Sequence, residues 1–214
     1  MNIAVVGASG TIGQQITLEA LVRGYTVTAL VRQPTHFPIT HPRLTVARVD
    51  LFDPASIAGA ITDTAAVVNA TGDHSADVHT FFVRSTQALI DGVQRAGGKR
   101  LIVVGGAGSL DVTPGVQLAD TPAFPAQFRP TAWAQRDALT MYRASMIDWT
   151  FFSPSALIAP GKRTGQYQLG TDHLLRNAQG DSYISVEDYA VALLDEIEEP
   201  HFIRRRFTAV SLKT

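Results

Sequence analysis

Three glycines follow the first apolar run of the chain at a regular spacing. The run "NIAVV" leads directly into Gly7, Gly10 and Gly13, which gives G-x-x-G-x-x-G between a predicted strand and a predicted helix. Residues without a β-carbon allow a tight turn and let a pyrophosphate approach backbone N–H groups, and a helix N-terminus adds free donors and partial positive charge. The stretch predicts a dinucleotide-phosphate site, with Ser9 and Thr11 as hydroxyl donors. A plain strand–turn–helix connection is the alternative.

The residue after the second predicted strand indicates which dinucleotide fits. Residues 26–31 are followed by Arg32, and no carboxylate lies between Glu19 and Asp50. An acidic residue there would bind the ribose 2′-hydroxyl of NAD, whereas a guanidinium can bind the 2′-phosphate of NADP in two places. The sequence therefore predicts NADP(H) as the cofactor. An ordinary solvated arginine is the other interpretation of Arg32.

Polar and small residues follow the third and fourth predicted strands. Asp50 and Leu51 come after the third strand, where the adenine of a dinucleotide would lie, and Asp50 could accept from its amino group while Leu51 packs on the ring. Ala70, Thr71 and Gly72 follow the fourth strand. Ligands of open α/β sheets bind at this carboxyl edge. Asp50 could equally cap a turn.

Short apolar runs alternate with helical patterns along nearly the whole chain. The runs are rich in Val and Ile and apolar on both faces, which is typical of parallel strands covered by helices on both sides. Asp53 and Ser185 precede two of the helical patterns and are predicted N-caps. The fold class is therefore α/β, a doubly wound parallel Rossmann sheet with helices on both faces, in a single domain spanning 1–214. The predicted strands are 3–7, 26–31, 44–50, 65–70, 100–106, 148–153 and 206–212.

Two segments lack regular periodicity. Residues 109–130 contain four prolines, which disfavour a helix or a central strand. Residues 160–185 are also irregular and could hold a small hairpin. Because long loops in compact domains are often functional, we expect loops 107–130 and 154–185 to form a pocket for a second ligand.

Six phrases of the sequence resemble a known family. They are "VVGASGTIG", "VDLFDPASI", "VVNATG", "RLIVVGGAGSL", "DWTFFSPSALIAPG" and "ISVEDYAVALLDEIE", and the similarity extends over nearly the whole chain. They resemble the atypical NAD(P)H-binding subgroup of the short-chain dehydrogenase/reductase superfamily, which contains NADH–flavin reductase-like, biliverdin reductase B-like and NmrA-like proteins. The resemblance implies a Rossmann domain that binds NADP(H) and passes hydride to a flat acceptor. The cofactor-binding residues it implies are Gly7, Ser9, Gly10, Thr11, Ile12, Gly13, Arg32, Asp50, Leu51, Ala70, Thr71 and Gly72, with Pro154 and Ser155 near the nicotinamide.

The sequence departs from this superfamily at its usual proton-transfer pair. Typical members use Tyr-x-x-x-Lys, in which the lysine lowers the pKa of the tyrosine. The five tyrosines lie at 25, 142, 167, 183 and 189, and none has a lysine four residues later. Oxidation of alcohols by a catalytic tyrosine is therefore doubtful.

A flavin-like or quinone-like acceptor, with FMN or FAD as possible substrates, relaxes this requirement. Hydride transfer to an electron-poor ring depends on stacking and exclusion of water more than on a dedicated acid. Ser109 could donate to the acceptor, Trp133 with Phe124 and Phe128 could form an apolar wall, and Arg136 could orient an anionic ligand. Structural roles in a loop, in packing and on a helix surface are the respective alternatives.

The leading hypothesis is thus an NADPH-dependent reductase. The main rival is a non-catalytic NADP(H)-sensing regulatory protein of the NmrA-like kind, in which redox state alters partner binding. An epimerase or isomerase that keeps its cofactor bound is a third possibility, but the missing tyrosine base counts against it. The sequence contains no G-x-S-x-G motif, which argues against a serine hydrolase.

Composition excludes several classes of protein. The chain carries 18 basic and 19 acidic residues, a net charge of −1, which does not favour nucleic acid. It has no cysteine, and no run is long and apolar enough to span a membrane. In "DHSADVH" the two histidines are five apart, so we expect no metal site there; a place beside the nicotinamide ribose is the other interpretation, because the segment follows the fourth strand. "RRR" at 204–206 is expected to be a solvated edge or a partner of "DEIEE". We expect a cytoplasmic protein, monomeric or homodimeric, with a small-molecule acceptor.

Overall fold

The computed structural model describes residues 1–73 and 75–212. Its helices are α1 (Thr11–Val22), α2 (Pro54–Ile61), α3 (Val78–Arg95), α4 (Arg129–Ala144) and α5 (Val186–Glu198). Its strands are β1 (Asn2–Val6), β2 (Thr26–Val31), β3 (Leu44–Arg48), β4 (Ala66–Asn69), β5 (Arg100–Val104), β6 (Asp111–Thr113), β7 (Val116–Gln117), β8 (Trp149–Ser153), β9 (Leu157–Ala159), β10 (Tyr167–Gly170), β11 (Tyr183–Ser185) and β12 (Arg205–Ser211).

Eight strands form the central sheet, in the order β10-β12-β8-β5-β4-β1-β2-β3. Seven of them pair in parallel, and β10 closes one edge antiparallel to β12. The chain moves outward from β1 through β2 to β3 and then returns to β4 on the other side of β1. This reversal opens a crevice at the carboxyl ends of β1 and β4, where ligands of such sheets bind.

The two faces of the sheet bury separate hydrophobic cores. Along β1, Ile3 and Val5 pack toward α1 and α5, while Ala4 and Val6 pack toward α2, α3 and α4, and all four are fully buried. Burial on both faces explains why the strands are apolar throughout rather than alternating. The predicted doubly wound fold is confirmed.

Sequence patterns located the regular elements well. All seven predicted strands occur, and both predicted N-caps form: Asp53 accepts from the N–H of Ala55 (2.9 Å) and the Ser185 hydroxyl from the N–H of Asp188 (3.0 Å). Among the described helices, none has the length and apolar character that crossing a bilayer requires.

The irregular segments contain structure that the sequence did not predict. The proline-rich segment holds the β6–β7 hairpin between short 3₁₀ turns. The hairpin expected within 160–185 is wrong, because β10 joins the edge of the main sheet beside β12 and β11 pairs in parallel with β9. Both pairings join segments distant in sequence, which local turn signals do not reveal.

Candidate functional site

Two of the three glycines are required by backbone packing. Gly7 adopts φ +75°, and a β-carbon on it would lie 2.8 Å from the backbone of Ala70 and Thr71. A β-carbon on Gly13 would lie 2.3 Å from the carbonyl oxygen of Gly7. Real β-carbons do not approach so closely, so these positions need glycine whether or not a ligand binds.

Gly10 is different because the protein itself leaves room for a side chain there. Its φ of −74° suits any residue, and its β-carbon would meet only the Gly7 oxygen, at an ordinary 3.5 Å. Gly10 is the N-cap of α1, where no side chain caps the first turn and no acidic residue lies within it. No side chain therefore accepts from the first N–H groups of the helix. Gly10, which precedes them, exposes only its backbone.

A cavity of about 800 Å³ lies along the carboxyl ends of β1 to β4, beside this helix start. Nine of the residues predicted to bind the cofactor line it, and they come from four separate loops: Gly7, Ser9, Gly10, Arg32, Asp50, Leu51, Ala70, Thr71 and Gly72. The topology thus brings the predicted phosphate, ribose and adenine residues together in one crevice.

Five other predicted cofactor residues lie outside the cavity lining. Thr11, Ile12 and Gly13 form the first turn of α1, and Ile12 packs against the core. Pro154 and Ser155 are buried after β8, and the Ser155 hydroxyl donates to the carbonyl of Ala209 (2.7 Å). Their proposed proximity to the nicotinamide stays a prediction.

Asn69 fixes the loop that faces the glycine turn. Its buried side-chain oxygen accepts from both the N–H (3.1 Å) and the hydroxyl (2.7 Å) of Thr71. Because the next residue after β4, Ala70, also donates its N–H to Val6 (2.8 Å), the turn is held against β1. Thr71 is therefore positioned at the cavity before any ligand arrives.

Positive charge gathers at the far end of the cavity. Arg32 and Gln33 follow β2, Arg48 ends β3, and all three line the cavity and are exposed. One carboxylate oxygen of Asp50 accepts from the N–H of Phe52 (2.9 Å). Asp50 therefore caps a turn, as the alternative interpretation of this residue predicted. The sequence reasoning missed Arg48, although it stands two residues before Asp50.

An aromatic cluster that the sequence patterns did not predict lies at the cavity. Phe52 and Phe81 both line the cavity and meet edge to face, with centroids 5.8 Å apart. Phe82 extends the cluster behind Phe81 at 5.5 Å, and the Arg84 guanidinium lies 4.7 Å from the ring centroid of Phe52. These contacts fix Phe52, which is 41% exposed, beside the predicted adenine position.

The first residue predicted to contact the acceptor, Ser109, is buried in an internal network. It is 3% exposed, and both its carbonyl oxygen (2.8 Å) and its hydroxyl (3.0 Å) accept from Arg206. Arg206 also pairs with Asp172. The expectation of a solvated "RRR" edge, or of a pair with "DEIEE", is wrong for Arg206, because that side chain turns inward toward Ser109.

Trp133 and Arg136 are held by a single carboxylate. The Trp133 indole N–H donates to Asp120 (3.2 Å), and Arg136 donates to Asp120 (3.1 Å) and to Gln117 (3.2 Å). These bonds join α4 to the proline-rich segment. Neither residue lines the cavity described above, so roles for them and for Ser109 in catalysis stay predictions.

Comparison with known proteins places the chain in a family. The profile of the NAD(P)H-binding family matches residues 7–200. The chain belongs to the NAD(P)H-binding family. The similarity to NADH–flavin reductase-like proteins that the six phrases predicted is confirmed.

Three similar proteins show how far this family resemblance extends. The Bacillus subtilis (strain 168) protein YwnB is 44% identical, and the match covers 99% of both chains. A candidate epimerase from Bacteroides thetaiotaomicron is 38% identical over 100% of this chain and 98% of its own, with a TM-score of 0.92. A candidate NADH-flavin reductase from Streptococcus pneumoniae TIGR4 is 35% identical over 99% of both chains, with a TM-score of 0.86.

The tyrosines of this NAD(P)H-binding protein all lie away from the cavity. All five fall within the described residues, and none is part of the cavity lining. Burial raises the pKa of Tyr142 to about 12, and the pKa of fully buried Tyr189 is raised well above its ordinary value for the same reason. Burial, and then the carboxylates of Glu198 and Asp195, also raise the pKa values of Tyr25 and Tyr167.

The "DHSADVH" segment shows no clustered ligands in the part that the structure describes. His79 lies 3.1 Å from Asp137 on α4, and His74 falls outside the described residues. Across residues 1–73 and 75–212, no group of three or more His, Cys, Asp or Glu side chains is arranged to hold a metal ion.

Proposed function

We propose that the protein is an NADPH-dependent reductase that passes hydride directly to a flavin-like or quinone-like acceptor, without a Tyr–Lys pair. One observation carries the proposal: Gly10 presents bare backbone to the cavity at a position where the fold has room for a side chain. A glycine that the fold does not need is explained by a ligand that must lie against the backbone.

The cavity residues fit the adenosine and pyrophosphate parts of a dinucleotide. The first N–H groups of α1, with Ser9 and Thr71, would hold the pyrophosphate. Arg32 would bind the 2′-phosphate that distinguishes NADP from NAD. Asp50, Leu51 and Phe52 would contact the adenine. The bound nicotinamide supplies the hydride, and the protein's part is to orient its ring and exclude water.

The acceptor would lie beyond β4, toward β5 and β8. Loops 107–130 and 154–185 follow strands on that side of β4. We propose that these loops form the acceptor pocket. Ser109, Trp133 and Arg136 would act there only if their present partners release them. Neither FMN nor FAD needs such a group as an acid, because the ring nitrogen can take its proton from water.

The tyrosines support direct transfer. A catalytic tyrosine needs a lowered pKa and access to the substrate, yet Tyr25, Tyr142, Tyr167 and Tyr189 all have raised pKa values. This also counts against an epimerase that uses a tyrosine base, although one similar structure carries that name. The name of the streptococcal protein favours a reductase.

The test is to follow loss of absorbance at 340 nm with NADPH or NADH and FMN, FAD, riboflavin or a quinone. We expect turnover with at least one acceptor and a preference for NADPH. Arg32→Gln should raise KM for NADPH about tenfold or more and change KM for NADH little, because a charge-assisted hydrogen bond is worth roughly 1.5–3 kcal/mol. No turnover with any acceptor would refute the reductase.

A regulatory NADP(H) sensor is the second candidate, and one observation favours it. Ser109, Trp133 and Arg136, the side chains predicted to act on an acceptor, are bound to other residues of the protein. A sensor needs different partner binding in its oxidised and reduced forms rather than turnover. Tight binding of both NADP⁺ and NADPH with no acceptor reduced would favour this function.

A further inference from the structure

We infer that Arg48 is a second specificity-determining residue, which shares the ribose 2′-phosphate of NADPH with Arg32. The inference rests on the proposed cofactor but not on the proposed acceptor or on turnover. It adds a residue from β3, whereas the sequence pattern pointed only to the end of β2.

Strand register places the two arginines one residue apart, at the carboxyl ends of neighbouring strands. β2 and β3 are parallel neighbours, and Val31 is paired with Arg48. Arg32 immediately follows Val31, and adjacent strands lie about 4.8 Å apart, so both side chains leave the sheet at the same carboxyl edge. Both line the same cavity and both are exposed. Two guanidiniums are therefore available to one ligand group.

Arg32 and Arg48 have no carboxylate partner among the described residues, unlike six other arginines of the protein. Those six pair with carboxylates at 3.5 Å or less, namely Arg23, Arg100, Arg136, Arg143, Arg163 and Arg206. Within residues 1–73 and 75–212, Arg32 and Arg48 form no ion pair with a carboxylate. Two unpaired cations on adjacent strands repel each other, and a shared anion removes that repulsion.

A phosphate monoester matches this pair in charge and in hydrogen bonding. It carries about −1.5 to −2 charges at neutral pH and three acceptor oxygens, enough to receive two forked guanidiniums at once. A ribose hydroxyl offers neither feature. Arg48 should thus discriminate between NADPH and NADH, and should not merely strengthen the binding of both.

Stacking of Arg48 on the adenine is the competing role, and it makes a different prediction. The adenine is common to both dinucleotides, so a stacking arginine would strengthen both equally. The ratio of the two affinities therefore separates the roles. Adenosine 2′,5′-bisphosphate and 5′-AMP provide the same comparison without the nicotinamide.

The experiment is titration calorimetry of the full chain with NADPH, NADH, adenosine 2′,5′-bisphosphate and 5′-AMP. Arg48→Gln should weaken NADPH and the bisphosphate about tenfold while NADH and 5′-AMP change less than about twofold. Arg32→Gln should do the same, and the double variant should lose most of the preference for a 2′-phosphate. Equal weakening of both dinucleotides, or an unchanged affinity for NADPH, would overturn the inference.

The control makes the same change of charge at the other end of β3. Arg43→Gln removes an exposed guanidinium just before the start of β3, at the opposite end from the cavity, where it donates to the carbonyl of Leu21 (2.9 Å). It should leave all four affinities within about twofold. Thermal melting of each variant shows that it is folded. Because binding is read directly, failure here differs from failure of the reductase proposal, which would show as binding without turnover.

Discussion

The two halves of the sheet differ in what their arginine side chains contact. At the carboxyl ends of β1 to β4, Arg32, Arg48 and the first N–H groups of α1 face a cavity. Beyond β5, Arg206 and Arg136 are bonded to Asp172 and Asp120.

The difference distinguishes polar groups that face a cavity from polar groups that form bonds within the protein. Groups held by internal partners stabilise loops, whereas groups without partners at a cavity keep their full capacity for a ligand. If the proposed function holds, the first half is organised for a dinucleotide before it binds. The second half would have to exchange internal bonds for bonds to an acceptor.

The largest effect should come from Gly13, where the loop is packed backbone against backbone. Gly13→Ala places a β-carbon 2.3 Å from the Gly7 oxygen, so the free energy of unfolding should fall by at least about 3 kcal/mol. Denaturant unfolding measures the change. The control is Gly59→Ala in α2, which meets nothing within 4 Å and should stabilise by about 0.5–1 kcal/mol. A mild effect at Gly13 would contradict the packing described.

The internal networks of the second half should differ with their burial. Asp172→Asn leaves the buried guanidinium of Arg206 without its carboxylate and should cost about 2 kcal/mol of unfolding free energy. Asp120→Asn breaks an ion pair whose side chains are 36% and 44% exposed and should cost less than about 1 kcal/mol. Urea melts of both variants test the difference. Equal losses of unfolding free energy would show that the pair of Arg206 and Asp172 is no more stabilising than the exposed pair.

Gly10 should respond in binding rather than in stability. Gly10→Ala should change the free energy of unfolding by less than about 1 kcal/mol, the usual range for an N-cap substitution. The same variant should weaken NADPH about tenfold, because the new methyl group stands where the diphosphate must approach. Fluorescence titration with NADPH measures this loss. Undiminished affinity would mean that Gly10 does not contact the cofactor.

The smallest effect concerns the acid limb of stability at Glu19. Hydrogen bonds from Arg163 and Arg23 lower the pKa of this carboxyl, although burial opposes them. A lowered folded-state pKa stabilises the protein above the ordinary value of 4.5, and this contribution is lost as the pH falls through the folded pKa.

Glu19→Gln removes the titrating group, so its stability should fall less than that of the unaltered protein between pH 6 and pH 3. Chemical denaturation at a series of pH values measures both slopes. Identical slopes for Glu19→Gln would contradict the ion-pair assignment.

How much could be predicted from sequence follows from how local each signal is. The strands were predictable because each is buried on both faces, and the glycine loop because its spacing is set within one strand and one helix. Arg48 and Phe81 were not, since register between strands and the approach of α3 decide whether they reach the cavity. The inward turn of Arg206 was equally hidden, because its partners Ser109 and Asp172 lie 97 and 34 residues away.

The start of α1, which has no side-chain cap, would make the stability of the protein depend on ligand concentration. If the dinucleotide of the proposed function binds at this loop, its phosphates would accept from the uncapped N–H groups, and part of the helix stability would come from the ligand. At a ligand concentration about 100 times its dissociation constant, mass action adds about 2.7 kcal/mol to the native state. Amide protons of Thr11 and Ile12 should then exchange with solvent more slowly as NADPH rises, reporting occupancy from within the backbone itself.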